Sequence, residues 1–169
     1  VIGIDNSPQM IEKASALTDT ITWIEGDVAT WEPDAAPDLI YSNATLQWLD
    51  GHDTLIPRLF GLLAPGGCLA VQMPQSWPLD SHRLMRETLA TGGPDGAPLG
   101  PDTVRRALDH VWVAQASHYY DLLAPGAQTI DIWETDYLQV LAGENPVLEW
   151  VSATGLRPVL NGLNDADRA

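Results

Sequence analysis

Four short apolar runs, at residues 1–4, 21–25, 38–43 and 68–73, set the tightest limit on what this sequence can fold into. Three of them close on a polar residue or a turn: Asp5, Gly26-Asp27 and Pro74. Runs of this length and character mark parallel strands buried on both faces. After the first, Ser7-Pro8 offers a helix start: the hydroxyl can accept a free backbone N–H, and proline suits a position whose N–H has no partner. Met10, Ile11, Ala14 and Leu17 follow at helical spacing. After the third, residues 46–53 read as a loop or short helix. Leu55, Ile56, Leu59, Phe60, Leu62 and Leu63 then give residues 54–63 a broad apolar helical face, ended by Pro65-Gly66-Gly67. The order β-α-β-x-β-α-β predicts an α/β fold: a parallel sheet with right-handed crossovers.

The pattern changes after Pro74. Helices are expected at residues 80–89, 102–111 and 118–123, with a Gly/Pro stretch at 92–101 between the first two. Ile130, Ile132 and Tyr137 suggest one strand or two across 129–141. Val147, Leu148, Trp150 and Val151 suggest a helix at 146–153. The expected organisation is a partial sheet core at 1–74, a helical region at 75–128, and a returning strand and helix at 129–169. Val1 stands where a start methionine would, inside a strand already under way, and residues 164–169 carry no closing element. The chain therefore reads as a piece cut at both ends.

Composition narrows the partners. Eight Lys+Arg against 23 Asp+Glu give a formal net charge of −15, which argues against nucleic acid and anionic membrane surfaces, since both need a basic footprint. A hydrophobic content of 45% argues against a disordered chain. Cys68, the sole cysteine, excludes an internal disulfide and a Cys-rich zinc site and fits a reducing, cytoplasmic setting. His52, His82, His110 and His118 share no ligand spacing, so no metal is expected. No apolar run reaches the length of a membrane span. Oligomeric state is open.

Two acids stand where strands end. In doubly wound sheets ligands bind beyond the carboxyl ends of the strands. Asp5 could accept from both hydroxyls of a ribose, or be a turn acid before a helix cap. Asp27, in Gly26-Asp27-Val28, could accept from an exocyclic amine such as adenine N6 while the Val28 N–H donates to a ring nitrogen; alternatively it turns the chain after a glycine. Ser42-Asn43-Ala44-Thr45 supplies small residues at the end of the third strand. Trp48 is either a pocket wall or, the better reading, core.

Residues 1–10 (Val-Ile-Gly-Ile-Asp-Asn-Ser-Pro-Gln-Met), 26–28 (Gly-Asp-Val), 38–48 (Asp-Leu-Ile-Tyr-Ser-Asn-Ala-Thr-Leu-Gln-Trp) and 63–74 (Leu-Ala-Pro-Gly-Gly-Cys-Leu-Ala-Val-Gln-Met-Pro) resemble the class I S-adenosylmethionine-dependent methyltransferases. Gln72-Met73-Pro74, Asp80-Ser81-His82, residues 130–137 and 143–151, and Thr154-Gly155-Leu156-Arg157-Pro158 narrow the likeness to the trans-aconitate methyltransferase family. The resemblance implies a partial Rossmann-like sheet with a helical substrate-covering insertion. It implies S-adenosylmethionine as methyl donor and a monomethyl ester of trans-aconitate as product. Asp5 becomes the ribose acid, with Asn6 beside it. Asp27 and Val28 become the adenine contacts, and Asn43 joins the cofactor site. A tricarboxylate entering so acidic a chain needs local cations. His82, Arg83 and Arg157 are the nominated substrate contacts, with Trp133 and Tyr137 as pocket walls; Arg86, Arg105 and Arg106 are further candidates.

The chain departs from the family pattern in three ways. The glycine-rich loop after the family's first strand is absent, the closing strands after Pro158 are absent, and Gln139 stands where histidine is common. The family strand order is 3-2-1-4-5-7-6, so the absent strand falls between the runs at 1–4 and 38–43. A slot is expected there, with Ile2, Ile4, Leu39 and Ile40 partly exposed and aggregation of the isolated chain. A carboxylate is already ionised near neutral pH, so no catalytic base is nominated, and orientation alone can contribute about 7–11 kcal/mol. Three other readings compete: a malonyl-carrier-protein carboxyl methyltransferase, which calls for a basic docking face; an NAD-dependent Rossmann enzyme, disfavoured by the second acid at Asp27; and a non-catalytic remnant.

Overall fold

The computed structural model describes residues 1–152 and 155–168, which fall into two compact units, Val1–Gln72 and Met73–Ala169. In the first unit the expected alternation is present. Strand β1 (Ile2–Asp5) leads into helix α1 (Pro8–Leu17), then β2 (Thr22–Glu25), β3 (Leu39–Asn43), a 3-10 turn at Leu46–Trp48, helix α2 (His52–Gly61) and β4 (Cys68–Gln72). Ser7 caps α1 as expected: its Oγ accepts from the Met10 N–H at 3.4 Å, and Pro8 occupies the first helical position. Helix α1 packs on β1 and β2, and α2 packs on β4.

The strands form two separate parallel pairs. β1 pairs with β2 from Ile2↔Thr22 to Asp5↔Glu25, and β3 pairs with β4 from Leu39↔Cys68 to Asn43↔Gln72. No ladder joins β1 to β3 among the described residues. The ladder that would have closed the expected slot is thus not formed, and of its expected apolar lining Ile2 is 52% and Leu39 56% exposed, while Ile4 and Ile40 are half-buried. Gly3 is required within β1, because a Cβ there would overlap the Trp23 ring on the neighbouring strand. The core of this unit is built by α2 and the turn before it: Leu46, Leu55, Ile56 and Leu59 are buried. His52 is buried with them, its Nε2 2.9 Å from the Leu46 carbonyl oxygen, which ties the first turn of α2 to the 3-10 turn.

The second unit is helical: α3 (Asp80–Thr91), a 3-10 turn at Pro94–Gly96, α4 (Asp102–Asp109), α5 (Ala116–Leu123), α6 (Pro146–Ser152), α7 (Arg157–Gly162) and α8 (Asp165–Arg168). Leu89, Val159 and Leu163 form its core, with Leu99, Val104, Leu108 and Leu156 packed against them. Gly100 has φ of +63° and lies against Leu163, so both its backbone and its surroundings demand glycine.

Three expectations are corrected. The strand at 129–141 does not form: the described residues there carry neither strand nor helix. An isolated strand leaves its N–H and C=O groups without a ladder, and no described neighbour supplies one. The chain's end does carry structure, because α7 and α8 follow α6; Ala153 and Thr154, which close the expected helix and open the quoted Thr-Gly-Leu-Arg-Pro motif, lie outside the described residues, as does Ala169. Trp48 is not core but 69% exposed.

Candidate functional site

The carboxyl ends of β1 and β2 are joined. The Gly26 N–H donates to the Asp5 carbonyl at 3.0 Å, one step beyond the last paired residues, so Asp5 and the Gly26-Asp27-Val28 turn leave the sheet side by side. Asp5 Oδ1 accepts from the Ser7 N–H at 2.8 Å. That bond makes Asp5 the turn acid that its place before a cap suggested. It also fixes the carboxylate while its second oxygen has no partner among the described residues. The two readings of Asp5 are thus compatible, since a ribose acid has to be held still. Asn6, exposed, sits inside this turn.

Asp27 opens a second turn. Its Oδ1 accepts from the Ala29 N–H at 2.8 Å, and its carbonyl accepts from Thr30 and Trp31 N–H groups at 3.1 and 2.8 Å. The Val28 N–H, between these, has no partner among the described residues. It is the donor that an adenine ring nitrogen would need. Arg58 of α2 reaches the same turn, its guanidinium donating to the Val28 carbonyl at 3.2 Å and to the Trp31 carbonyl. Sequence reasoning missed Arg58. The signal was there: it is the one charged residue among Leu55, Ile56, Leu59, Phe60, Leu62 and Leu63.

Asn43 ends β3, in the other strand pair. Its Nδ2 donates to the Tyr41 hydroxyl at 3.2 Å and its carbonyl accepts from Thr45 Oγ1 at 3.3 Å. Ala44 follows with φ of +51°, a left-handed backbone unusual for a residue with a Cβ. Such strain concentrates at functional sites, and sequence alone did not flag it. Ser42 Oγ and Gln47 Oε1, on either side of Asn43 in the chain, are buried with no hydrogen-bond partner among the described residues.

The nominated substrate residues lie in the second unit and do not converge there. His82 is partly buried in α3, its Nε2 3.4 Å from Ser76 Oγ and its Nδ1 3.3 Å from Ser81 Oγ. Burial, and then the Arg86 charge, lower its pKa below the ordinary imidazole value. Arg83 is exposed and engaged by its own helix, with Glu87 at 2.7 Å and Asp80 at 3.0 Å; those bonds, Glu87's first, raise its pKa and hold it charged. Arg86 lies 3.9 Å over the Trp77 ring and donates to the Trp77 carbonyl at 3.0 Å. Arg157 is exposed at the start of α7. Trp133 and Tyr137, 75% and 81% exposed, stand on the stretch that forms no strand, with no hydrogen bond or ring contact to another described residue.

Comparison with known proteins finds likeness to methyltransferases along the chain. Residues 1–67 match the family model of a methyltransferase domain. The whole chain is 50% identical to a trans-aconitate 2-methyltransferase of Methylobacterium radiotolerans and 43% identical to one of Paracidovorax citrulli; 96% of it is 43% identical to one of an Azoarcus species. The chain spans 64%, 64% and 61% of the lengths of these curated relatives. The match covers nearly all of the first unit, whose parallel α/β pairs suit a partial Rossmann-like arrangement, and the likeness to the curated relatives continues through the helical unit. No helix among the described residues is long and apolar enough to cross a membrane.

Proposed function

We propose that the full-length protein containing this chain transfers a methyl group from S-adenosylmethionine to one carboxylate of trans-aconitate, giving a monomethyl ester. The observation that carries this reading is the 50% identity to a trans-aconitate 2-methyltransferase over all 169 residues, through the strand-end site and the helical unit alike. A small tricarboxylate as acceptor and a cytoplasmic location, in keeping with the single cysteine, complete the reading.

The residues present fit the adenosyl half of such a donor. Asp5 has a fixed carboxylate, and among the described residues its second oxygen and the Val28 N–H, one residue after a second acid, have no partner. When bound, S-adenosylmethionine supplies a methyl group activated by a positively charged sulfur. Asp5 holds the ribose hydroxyls, Asp27 takes the adenine amine, and the Val28 N–H meets a ring nitrogen. The acceptor carboxylate is ionised at neutral pH, so no side chain has to remove a proton. What remains is alignment and exclusion of water, which can lower a barrier by about 7–11 kcal/mol.

The substrate side is read more narrowly than from sequence. His82, with its lowered pKa, is neutral near pH 7 and serves as a hydrogen-bonding group, not a cation. Arg83 already faces two carboxylates, whereas Arg157 is exposed and has no ion pair among the described residues, so Arg157 is the better carboxylate partner. The test is methyl transfer by the full-length protein from labelled S-adenosylmethionine, with product identified by mass spectrometry. A monomethyl ester of trans-aconitate is expected. Label transferred to a malonyl carrier protein and not to the tricarboxylate would replace the substrate; no transfer to either would end the reading.

A further inference from the structure

We propose that Arg58 is the positioning residue of the adenine side of the cofactor site, an inference that rests on the reading of Asp27 and Val28 as adenine contacts. Arg58 lies on α2, some thirty residues further along the chain than the turn it holds. Its guanidinium donates to two carbonyls of that turn, Val28 at 3.2 Å and Trp31. The bonds within the turn are short in range: Ala29 N–H to Asp27 Oδ1, and Thr30 and Trp31 N–H groups to the Asp27 carbonyl. Those bonds shape the turn. Two other elements bond to it: β1 at its start, where the Gly26 N–H donates to the Asp5 carbonyl, and α2, whose Arg58 donates to the Val28 and Trp31 carbonyls, beyond the two adenine contacts. The flat fork of a guanidinium suits the task, since two parallel donors fix a pair of carbonyls in direction as well as distance. With its start held to β1 through Gly26 and the Val28 carbonyl held to α2, the peptide carrying Asp27 and the Val28 N–H is anchored from both sides. Arg58 touches backbone carbonyls and not the ligand, so it acts through Asp27 and Val28.

Six binding constants in the full-length protein test this. Calorimetry would measure S-adenosylhomocysteine and its inosyl counterpart, which lacks the adenine amine, against wild type, Arg58→Met and Arg58→Lys. Arg58→Met keeps the apolar stem; it should weaken S-adenosylhomocysteine by about tenfold and compress the adenosyl-over-inosyl preference. Arg58→Lys, with a single ammonium in place of the fork, should fall between, and it carries the test if the methionine variant does not fold. A preference equal to wild type in a folded variant overturns the positioning role while leaving the cofactor reading intact. A general loss of affinity with the preference retained also overturns it, because that is the mark of a merely structural arginine. Failure of wild type to bind S-adenosylhomocysteine overturns the cofactor reading itself, and this inference with it.

Discussion

Residues 21–25 carry a short apolar run and residues 129–141 an apolar alternation, and both read as strands, yet only the first becomes one. The four residues of β2 find β1 in parallel register, and that ladder satisfies the backbone groups that face β1. The thirteen-residue stretch finds no described neighbour, and Tyr137, Leu138 and Val140 stand 81%, 96% and 94% exposed. Alternation says which residues would share a face. It does not say whether a second strand is there to pair with, and an unpaired strand is not stable in water. The same limit appears in milder form between β1 and β3, which have partners on one side and an open edge on the other.

The contrast predicts unequal sensitivity to mutation. Leu59→Ala, in the buried face of α2 at 1% exposure, should cost about 2–5 kcal/mol in urea unfolding of a full-length parent. Leu138→Ala, at 96% exposure, should stay within about 0.5 kcal/mol if the stretch is as unpartnered there as here. A large cost at Leu138 in the longer protein would show that the stretch gains its ladder from residues outside this chain. That outcome would sharpen the comparison by naming what completes the sheet.

A smaller effect is expected at Ala44. Its φ of +51° suits glycine, and Ala44→Gly should raise stability by about 0.5–1 kcal/mol after allowing for the extra freedom of the unfolded chain. Any loss of cofactor affinity in that variant would show that the strained backbone is used for binding.

The smallest effect concerns pH. The His82 pKa is lowered in the folded state, first by desolvation and then by Arg86, so the unfolded chain takes up its proton earlier as pH falls. The contribution is fully present above about pH 6.5 and is lost as pH falls from there through the folded-state value. His82→Gln should flatten the acid side of the stability curve and leave the curve above about pH 7 unchanged. A variant that instead lost stability below neutral pH and matched wild type above it would mean that His82 is held as the cation.

Much of the first unit was legible in the sequence because its signals are local. Ser7-Pro8 sets the start of α1, the apolar face at 54–63 marks α2, and the strand ends at Asp5 and Gly26-Asp27 follow from run length. Gly26 bonded to Asp5 is the structural form of two acids at consecutive strand ends. What sequence could not give is long-range or conformational. Arg58 reaches back to Val28 and Trp31 through the fold, and Ala44 takes a left-handed backbone that no residue-type preference announces. Arg83 was a plausible substrate cation until Asp80 and Glu87 were seen closing on it, although their spacing on one helix face could have warned of that pairing.

The central claim is that the paired strand ends read the adenosyl part of a methyl donor, and Asp5 is its most exposed point. Calorimetric titration of S-adenosylhomocysteine into the full-length protein, wild type against Asp5→Ala, tests it directly. Each hydrogen bond to a charged acceptor contributes about 1.5–3 kcal/mol, so the variant should bind at least about tenfold more weakly, with its fold intact by circular dichroism. An unchanged dissociation constant in a folded Asp5→Ala protein would contradict the account, leaving Asp5 a turn residue bonded to Ser7 and nothing more.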